Sequence, residues 1–380
     1  MRENMPVKTL PRILLSLALA VLCFAAVPAR AALVAGLYEA RVPVADQSSS
    51  ARSAALQQAL GAVLIKVTGA RSVPSSLTPL VGDAAHYMQQ YRYEQAPPDP
   101  SAPPAASPTT PSLVLWARFD PKVVNDAVTA AHAPLWGAER PRTLVWLALQ
   151  DTPGGRLLPA TDSSFLMQAL QSAAQQRGIG LIFPQLDAVD RAALGVPDVT
   201  TFAADRIRQA SSRYRPEAVL VGSITPFGSG QYAAHWQLTS GSEQQAWETP
   251  PGDEVVTAVD GIEVSADRYA ARLAVAPDAT DLAGIPLAVQ GVTSLDAYAK
   301  VLAYLNALTP VRAVHVQRME QGSAYFSLDA HGSLDNLRSA LMLGGLLAPA
   351  DAAGPPAASV APSAIAVSAE PLLYRYVPGP

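Results

Sequence analysis

The hydrophobic positions of this chain fall into three blocks, each with its own strand and helix periods. In the first, Tyr38, Ala40, Val42 and Val44 alternate with Leu37, Glu39 and Arg41, the period of a strand with one wet face. Next, Leu56, Leu60, Val63, Leu64 and Val67 recur at helical spacing between a serine cluster, Ser48 to Ser50, and Gly69. The serines offer an N-cap and the glycine a left-handed C-cap. Tyr87, Tyr91 and Tyr93 share a strand over 86–94, and Leu113 to Phe119 alternates again, which predicts a long-looped hairpin. Asp120-Pro121 then opens a short helix with Val124, Ala127, Val128 and Ala131 on one side. This block, 32–137, reads as βαββα.

The second block, 140–275, opens on Thr143 to Leu149, apolar at almost every position, as in a strand covered on both faces. A helix is expected from Asp162 or Ser163 through Leu166, Leu170 and Ala173 to Gly178, then a strand over Ile179 to Phe183. A second helix is expected over roughly Phe202 to Tyr214 and another buried strand over Ala218 to Ile224. An antiparallel pair, Gln231 to Leu238 with Gln244 to Glu248, and a helix from about Glu254 to Leu273 complete a mixed α/β unit.

The third block, 284–378, begins with a strand over Leu287 to Val292 and a helix capped by Ser294 that carries Leu295, Tyr298, Val301, Leu302, Leu305 and Leu308. Val311 to Met319 pairs with Ala324 to Ala330 across Gln321-Gly322, and Ser333 caps a helix from Leu334 to Leu341. With Leu372 to Val377 as the last strand the order is βαββαβ, a ferredoxin-like unit. Two low-complexity runs read as solvated loops: 97–111, in which seven of fifteen residues are proline, and the Ala/Pro/Ser run 349–362. The fold class expected is mixed α/β (α+β), three small sandwich units behind a leader.

That leader is 1–31. Arg2, Lys8 and Arg12 precede an apolar stretch from Ile13 to Val27, and Ala29 and Ala31 stand at the small positions that a signal peptidase accepts. Fifteen helical residues reach roughly 22 Å, short of a ~30 Å hydrocarbon core, so an uncleaved membrane anchor is the alternative rather than the first reading. Cleavage after Ala31 removes four basic residues and one acidic one, which moves the net charge from −4 to −7. It also removes Cys23, the lone cysteine, and with it disulfide and thiol chemistry. An acidic chain lacks the clustered Lys and Arg that phosphate neutralisation needs, so nucleic acid is not an expected partner.

No motif for a reaction stands out. The sequence has no Gly-x-Ser-x-Gly, Ser-x-x-Lys, Gly-x-x-x-x-Gly-Lys or Gly-x-Gly-x-x-Gly pattern. Its five histidines, His86, His132, His235, His315 and His331, include no pair three or four apart, so no helical metal-ligand spacing exists and neither metal nor cofactor is expected. Asp187, Asp190 and Asp198 are expected in a loop. The candidate binding residues are Arg312, His315, Tyr325, Asp329 and His331 on the last hairpin, where parity places His315, Tyr325, Asp329 and His331 outward and Val314, Val316, Phe326 and Leu328 inward. An ordinary wet sheet face is the competing explanation. Trp136 is the remaining candidate, because it falls at the junction between the first two blocks. Convergence of His235 with Asp253 and Glu254 in one pocket would favour a hydrolase.

The chain also resembles a family of exported proteobacterial proteins known as a domain of unknown function, number two-thousand-sixty-six. The likeness rests on Leu37-Tyr38-Glu39-Ala40-Arg41-Val42-Pro43-Val44, the Ala-rich helix ending at Val67-Thr68-Gly69, Tyr91-Arg92-Tyr93, Trp116-Ala117-Arg118-Phe119-Asp120-Pro121, and Pro134-Leu135-Trp136-Gly137 with Arg140-Pro141. More distantly, the second block is similar in element order to the TolB amino-terminal domain and to lipoprotein activators of penicillin-binding proteins, and the first helix to flagellar and lipoprotein assembly factors. These resemblances imply a periplasmic, non-catalytic interaction or assembly factor whose partner is an envelope protein or a cell-wall component. The alternative is a periplasmic hydrolase with scattered acidic and histidine residues.

Overall fold

A computed structural model of the chain describes residues 36–95, 113–320, 322–350 and 371–378. The leader, with Ala29 and Ala31, lies outside them, as do nearly all of the two low-complexity runs. The described residues form a mixed α/β structure of three sheets and eleven helices. None of those helices is long and apolar enough to cross a membrane.

The first sheet contains β1 (Glu39–Val44), and α1 (Ser49–Thr68) follows it. The α1 ends match their sequence signals: Ser48 Oγ accepts from the Ala51 N–H, and Gly69 sits at φ 71 with its N–H donating to Ile65 O. Two short helices, α2 (Thr78–Gly82) and α3 (Ala84–Tyr87), lead to β2 (Met88–Gln95), β3 (Leu113–Phe119) and α4 (Pro121–Ala130). The strands run antiparallel in the order β1-β3-β2. Leu56, Leu60, Val63, Leu64 and Val67 of α1 are buried on the inner face with Val42, Leu115 and Phe119.

The second sheet is built on β4 (Arg142–Leu149) and β5 (Arg156–Leu157); α5 (Phe165–Arg177) and β6 (Gly180–Ile182) follow. Three short helices, α6 (Ala188–Ala193), α7 (Val196–Thr200) and α8 (Ala204–Ser211), precede β7 (Ala218–Gly228), β8 (Gln231–Ser240), β9 (Glu243–Gly252) and α9 (Glu254–Leu273). The order is β5-β4-β7-β8-β9 with β6 also on β4, and β4 runs parallel to β6 and β7. Its unbroken apolar run is explained by cover on both sides. Val145, Leu147 and Leu149 meet α5 and α9, while Leu144, Trp146 and Ala148 meet Leu194, Val199 and Ile207.

Two expectations for this region are corrected. The helix expected over Phe202 to Tyr214 is α8 alone, followed by a single 3₁₀ turn, with Phe202 outside it at φ 53. The loop expected around Asp187, Asp190 and Asp198 is instead α6 and α7. Asp187 caps α6, Asp198 accepts from the Gly195 N–H at 2.8 Å, and Asp190 is buried between the Leu186 N–H, Arg213 and Tyr214. Helices of six and five residues make fewer than two turns, too short for a periodic signal.

The third sheet contains β10 (Asp281–Gln290), α10 (Leu295–Ala307), β11 (Val311–Glu320), β12 (Ser323–His331), α11 (Leu334–Met342), β13 (Leu347–Pro349) and β14 (Leu372–Tyr376). Its order is β11-β12-β10-β14-β13, and it differs from the expected ferredoxin-like βαββαβ in one added strand and in the direction of the last one. The strand beside β10 is β14, which runs parallel to it, and β13 adds a fifth strand at the edge. A three-residue strand next to an Ala/Pro run leaves no period-2 trace. β10 also starts six residues earlier than expected, because a register shift between Leu282 and Ile285, with Gly284 at φ 71, interrupts its alternation. Helices α10 and α11 cover one face through Val301, Leu305, Leu337 and Leu341, leaving the other outward.

Helix α9 connects the three parts. Its Gly261 lies against Trp236, where a Cβ would come within 2.5 Å of the ring, and its Ala270 lies against Gly69 of the first unit, where a Cβ would come within 2.4 Å. Beyond its end Val275 and Leu135 exchange two backbone hydrogen bonds, of 3.0 and 2.8 Å. Asn336 of α11 donates to Arg272 O at 2.7 Å.

Candidate functional site

The third sheet brings four of the five candidate residues of the last hairpin into two ion-paired groups at its outward face. His315 Nε2–H donates to Asp329 Oδ2 at 3.0 Å, and Asp329 Oδ1 accepts from the Gly284 N–H at 2.9 Å. The Gly284 N–H, and after it the His315 ring, hold the Asp329 carboxyl below the ordinary carboxylate range. Next to them His331 Nδ1–H donates to Asp281 Oδ1 at 2.7 Å, and Arg312 Nε lies 3.5 Å from the same oxygen. Asp281 was missed because the sequence pattern begins β10 after its bulge. Tyr325 lies farther along the same face under Arg318, whose guanidinium carbon is 4.4 Å from the ring centroid. Val316, expected inward, pairs with Phe326 but is 45% exposed because β11 is an edge strand.

Arg312 and His331 also line a recess of about 130 Å³ whose other walls are Leu135 from the first unit, Val275 and Pro277 from the α9–β10 connection, and Thr309. Chemically the groups can orient imidazoles and present a guanidinium. A carboxylate-held histidine would serve as a base only beside a nucleophile, and among the described residues neither ring is hydrogen-bonded to a hydroxyl or thiol. No group of three His, Cys, Asp or Glu able to hold a metal occurs among the described residues either. His235, Asp253 and Glu254 do not converge. His235 pairs with Glu248 at 3.3 Å, Asp253 caps α9, and burial, then the Asp151 charge, pushes the Glu254 carboxyl up.

Trp136 is not a surface residue: it is 1% exposed. It lies beneath Arg140, whose guanidinium carbon is 3.7 Å from the ring, in a hub where two helix C-termini meet. Arg140 donates to Lys66 O at the end of α1 (2.6 Å), to Arg177 O and Gly178 O at the end of α5 (3.0 and 3.2 Å), and to Trp136 O and Gly137 O (both 2.9 Å). Burial pulls its pKa down to about 9, which leaves it charged at neutral pH. That charge compensates the negative ends of two helix dipoles. Arg177 does the same for Gly69 O at 2.8 Å and is balanced by Asp267 and Glu263 of α9. Lys66 Nζ, buried alongside, donates to Glu39 O at 2.7 Å, and burial pulls its pKa down to about 8.

One group was missed altogether. On the outer face of the first sheet, Trp116 is 2% exposed although the residues immediately around it are polar. Arg92 lies 3.8 Å above its ring and Arg118 5.3 Å away. Glu39 accepts from Trp116 Nε1 at 3.1 Å and Arg118 Nη2 at 2.6 Å, and Glu94 is shared by Arg41 and Arg92. Strand parity puts Glu39, Arg41, Arg92, Glu94, Trp116 and Arg118 on one face, so the signal was present in the alternation of three separate strands.

Residues 31–137, the first unit, match a family described as Domain of unknown function (DUF8605). This corrects the resemblance to family number two-thousand-sixty-six. The segments behind that resemblance are an alternating strand, a capped Ala-rich helix and an Asp-Pro helix start, features required by any helix-on-sheet unit and therefore poor at separating families. The likeness of the second unit to the TolB domain rested on element order alone, and the family match does not extend to that unit. No curated protein matches the chain.

Proposed function

We propose that the chain is an exported, non-catalytic interaction or assembly factor of the periplasm and cell envelope, binding an envelope protein or a cell-wall component. The observation that carries this reading is the ion-paired face of Arg312, His315, Asp329, His331 and Asp281, set beside a recess that joins the third unit to the first. A partner seated there engages more than one unit at once, which suits a scaffold. Export is inferred from the basic residues, apolar stretch and Ala29/Ala31 pair of the leader.

The test is in-cell crosslinking of the tagged chain, with an export-blocked control and with Arg312→Glu. Reproducible capture of one envelope species by the unaltered chain, lost in Arg312→Glu, supports the proposal. Recovery of free chain alone, or turnover in a hydrolase panel, overturns it. The mass of the amino terminus checks export separately: a chain beginning after Ala31 is expected.

A further inference from the structure

We infer that the open edge of β2 is a docking site for an extended acidic peptide segment of another protein, added as a fourth strand to the first sheet. This inference concerns a different face from the one proposed above and does not depend on export.

The described strand edges differ in their fitness for such pairing. β1 carries Pro43, β9 carries Pro250 and Pro251, and β13 is three residues ending in Pro349, and proline cannot donate to a ladder. β5 and β6 have two and three residues. β11 is long but is interrupted by two register shifts, a device that blunts an edge. β2 contains no proline and pairs regularly with β3 from Gln90 to Gln95, and among the described residues no strand lies on its other side. The chain that follows it, 97–111, has seven prolines, which lack the N–H that a ladder requires.

The side chains at this edge specify charge. Arg41, Trp116 and Arg92 stand in cross-strand register, so the row they form runs across the outer face and ends at β2. Among the described residues, Arg41, Arg92 and Arg118 share two carboxylates, Glu39 and Glu94. A carboxylate on the next strand, about 4.8 Å beyond Arg92, would complete the balance. On the other face of the same edge Arg52 of α1 stands 5.8 Å from the Tyr91 ring. Consecutive residues, Tyr91 and Arg92, therefore have guanidinium groups on opposite faces. Two adjacent acidic residues in an extended peptide, whose side chains alternate, would meet one each.

The probe is a fluorescent peptide, Gly-Ser-Thr-Val-Glu-Glu-Val-Thr-Ser-Gly, titrated with the full chain and followed by anisotropy at low salt. Its Lys-Lys counterpart is expected to bind at least about tenfold more weakly, and Arg92→Glu to weaken the acidic peptide by a similar factor while Arg312→Glu leaves it unchanged. Backbone N-methylation needs no variant protein: methyl groups on one alternate set of residues should abolish binding, and on the other set should spare it. Equal binding of the two peptides, tolerance of both methylation sets, or no saturable binding overturns the proposal. So does a concentration-dependent dimer that Arg92→Glu dissolves, which would give the edge to a second copy.

Discussion

Two arginines lie flat on two tryptophans in this chain, Arg140 on Trp136 at 3.7 Å and Arg92 on Trp116 at 3.8 Å. The stacks are alike in geometry and opposite in use. Arg140 is 3% exposed and every hydrogen bond it makes among the described residues is to a backbone carbonyl, so it joins two helix ends that would otherwise leave acceptors unpaired in the interior. The Arg92 side chain is 49% exposed and shares its carboxylate with Arg41. What separates a structural rivet from a presentation surface here is the partner of the guanidinium, carbonyl or carboxylate, and its access to water.

That contrast is open to direct challenge. Arg140→Met is expected to cost about 3–5 kcal/mol in chemical denaturation, since five carbonyls lose their donor in a dry site. A cost near that of a surface variant would show that the hub is not buried in solution. Gly69→Ala should cost about 2–3 kcal/mol, because a Cβ there meets Ala270 at 2.4 Å and φ is 71; if Ala270→Gly in the same chain restores none of it, close packing is not the cause.

Lys66 gives the hub a pH signature. Its folded-state pKa, about 8, is below the unfolded 10.5, so between these values the unfolded chain holds the extra proton and stability rises with pH. The full penalty is present below about pH 8. Stability should climb by about 1–2 kcal/mol from about pH 8 to about pH 9.5, and Lys66→Met should reduce that rise, most of all below about pH 9, where Arg140 keeps its charge. Arg92→Ala is expected to cost only about 0.5–1 kcal/mol, measured as a small shift in denaturation midpoint. A loss as large as that at Arg140 would erase the distinction between the two stacks.

The parts of the fold legible in the sequence were those with sustained periods and explicit caps. Helix α1, with Ser48 and Gly69 at its ends, and the buried run of β4 are examples. Elements of two to six residues, the bulge at Gly284 and the parallel placement of β14 were not legible, because each is decided by partners distant in sequence. The same holds for the sites. Parity alone grouped His315, Asp329 and His331, yet Arg312 is out of phase with them and joins them through the register shift between Val311 and Ala313, and Asp281, which pairs with Arg312 and His331, lay across a bulge. Trp136 was marked as a junction residue, but nothing local revealed that Arg140, four positions on, would draw its acceptors from Lys66, Arg177 and Gly178. The arginine row on the first sheet was spread over three strands and emerged only when Arg41 and Arg92 were seen to flank Trp116.

The position of α9 has a thermodynamic consequence. A helix held by Gly69 on one side, Trp236 beneath and Asn336 beyond its end cannot leave its seat without loosening all three units, so their unfolding equilibria are linked. Any molecule that binds only the folded form then stabilises the whole chain, whichever face it occupies. Slowed amide exchange in α11 would report an occupant on β2, far from the surface it touches.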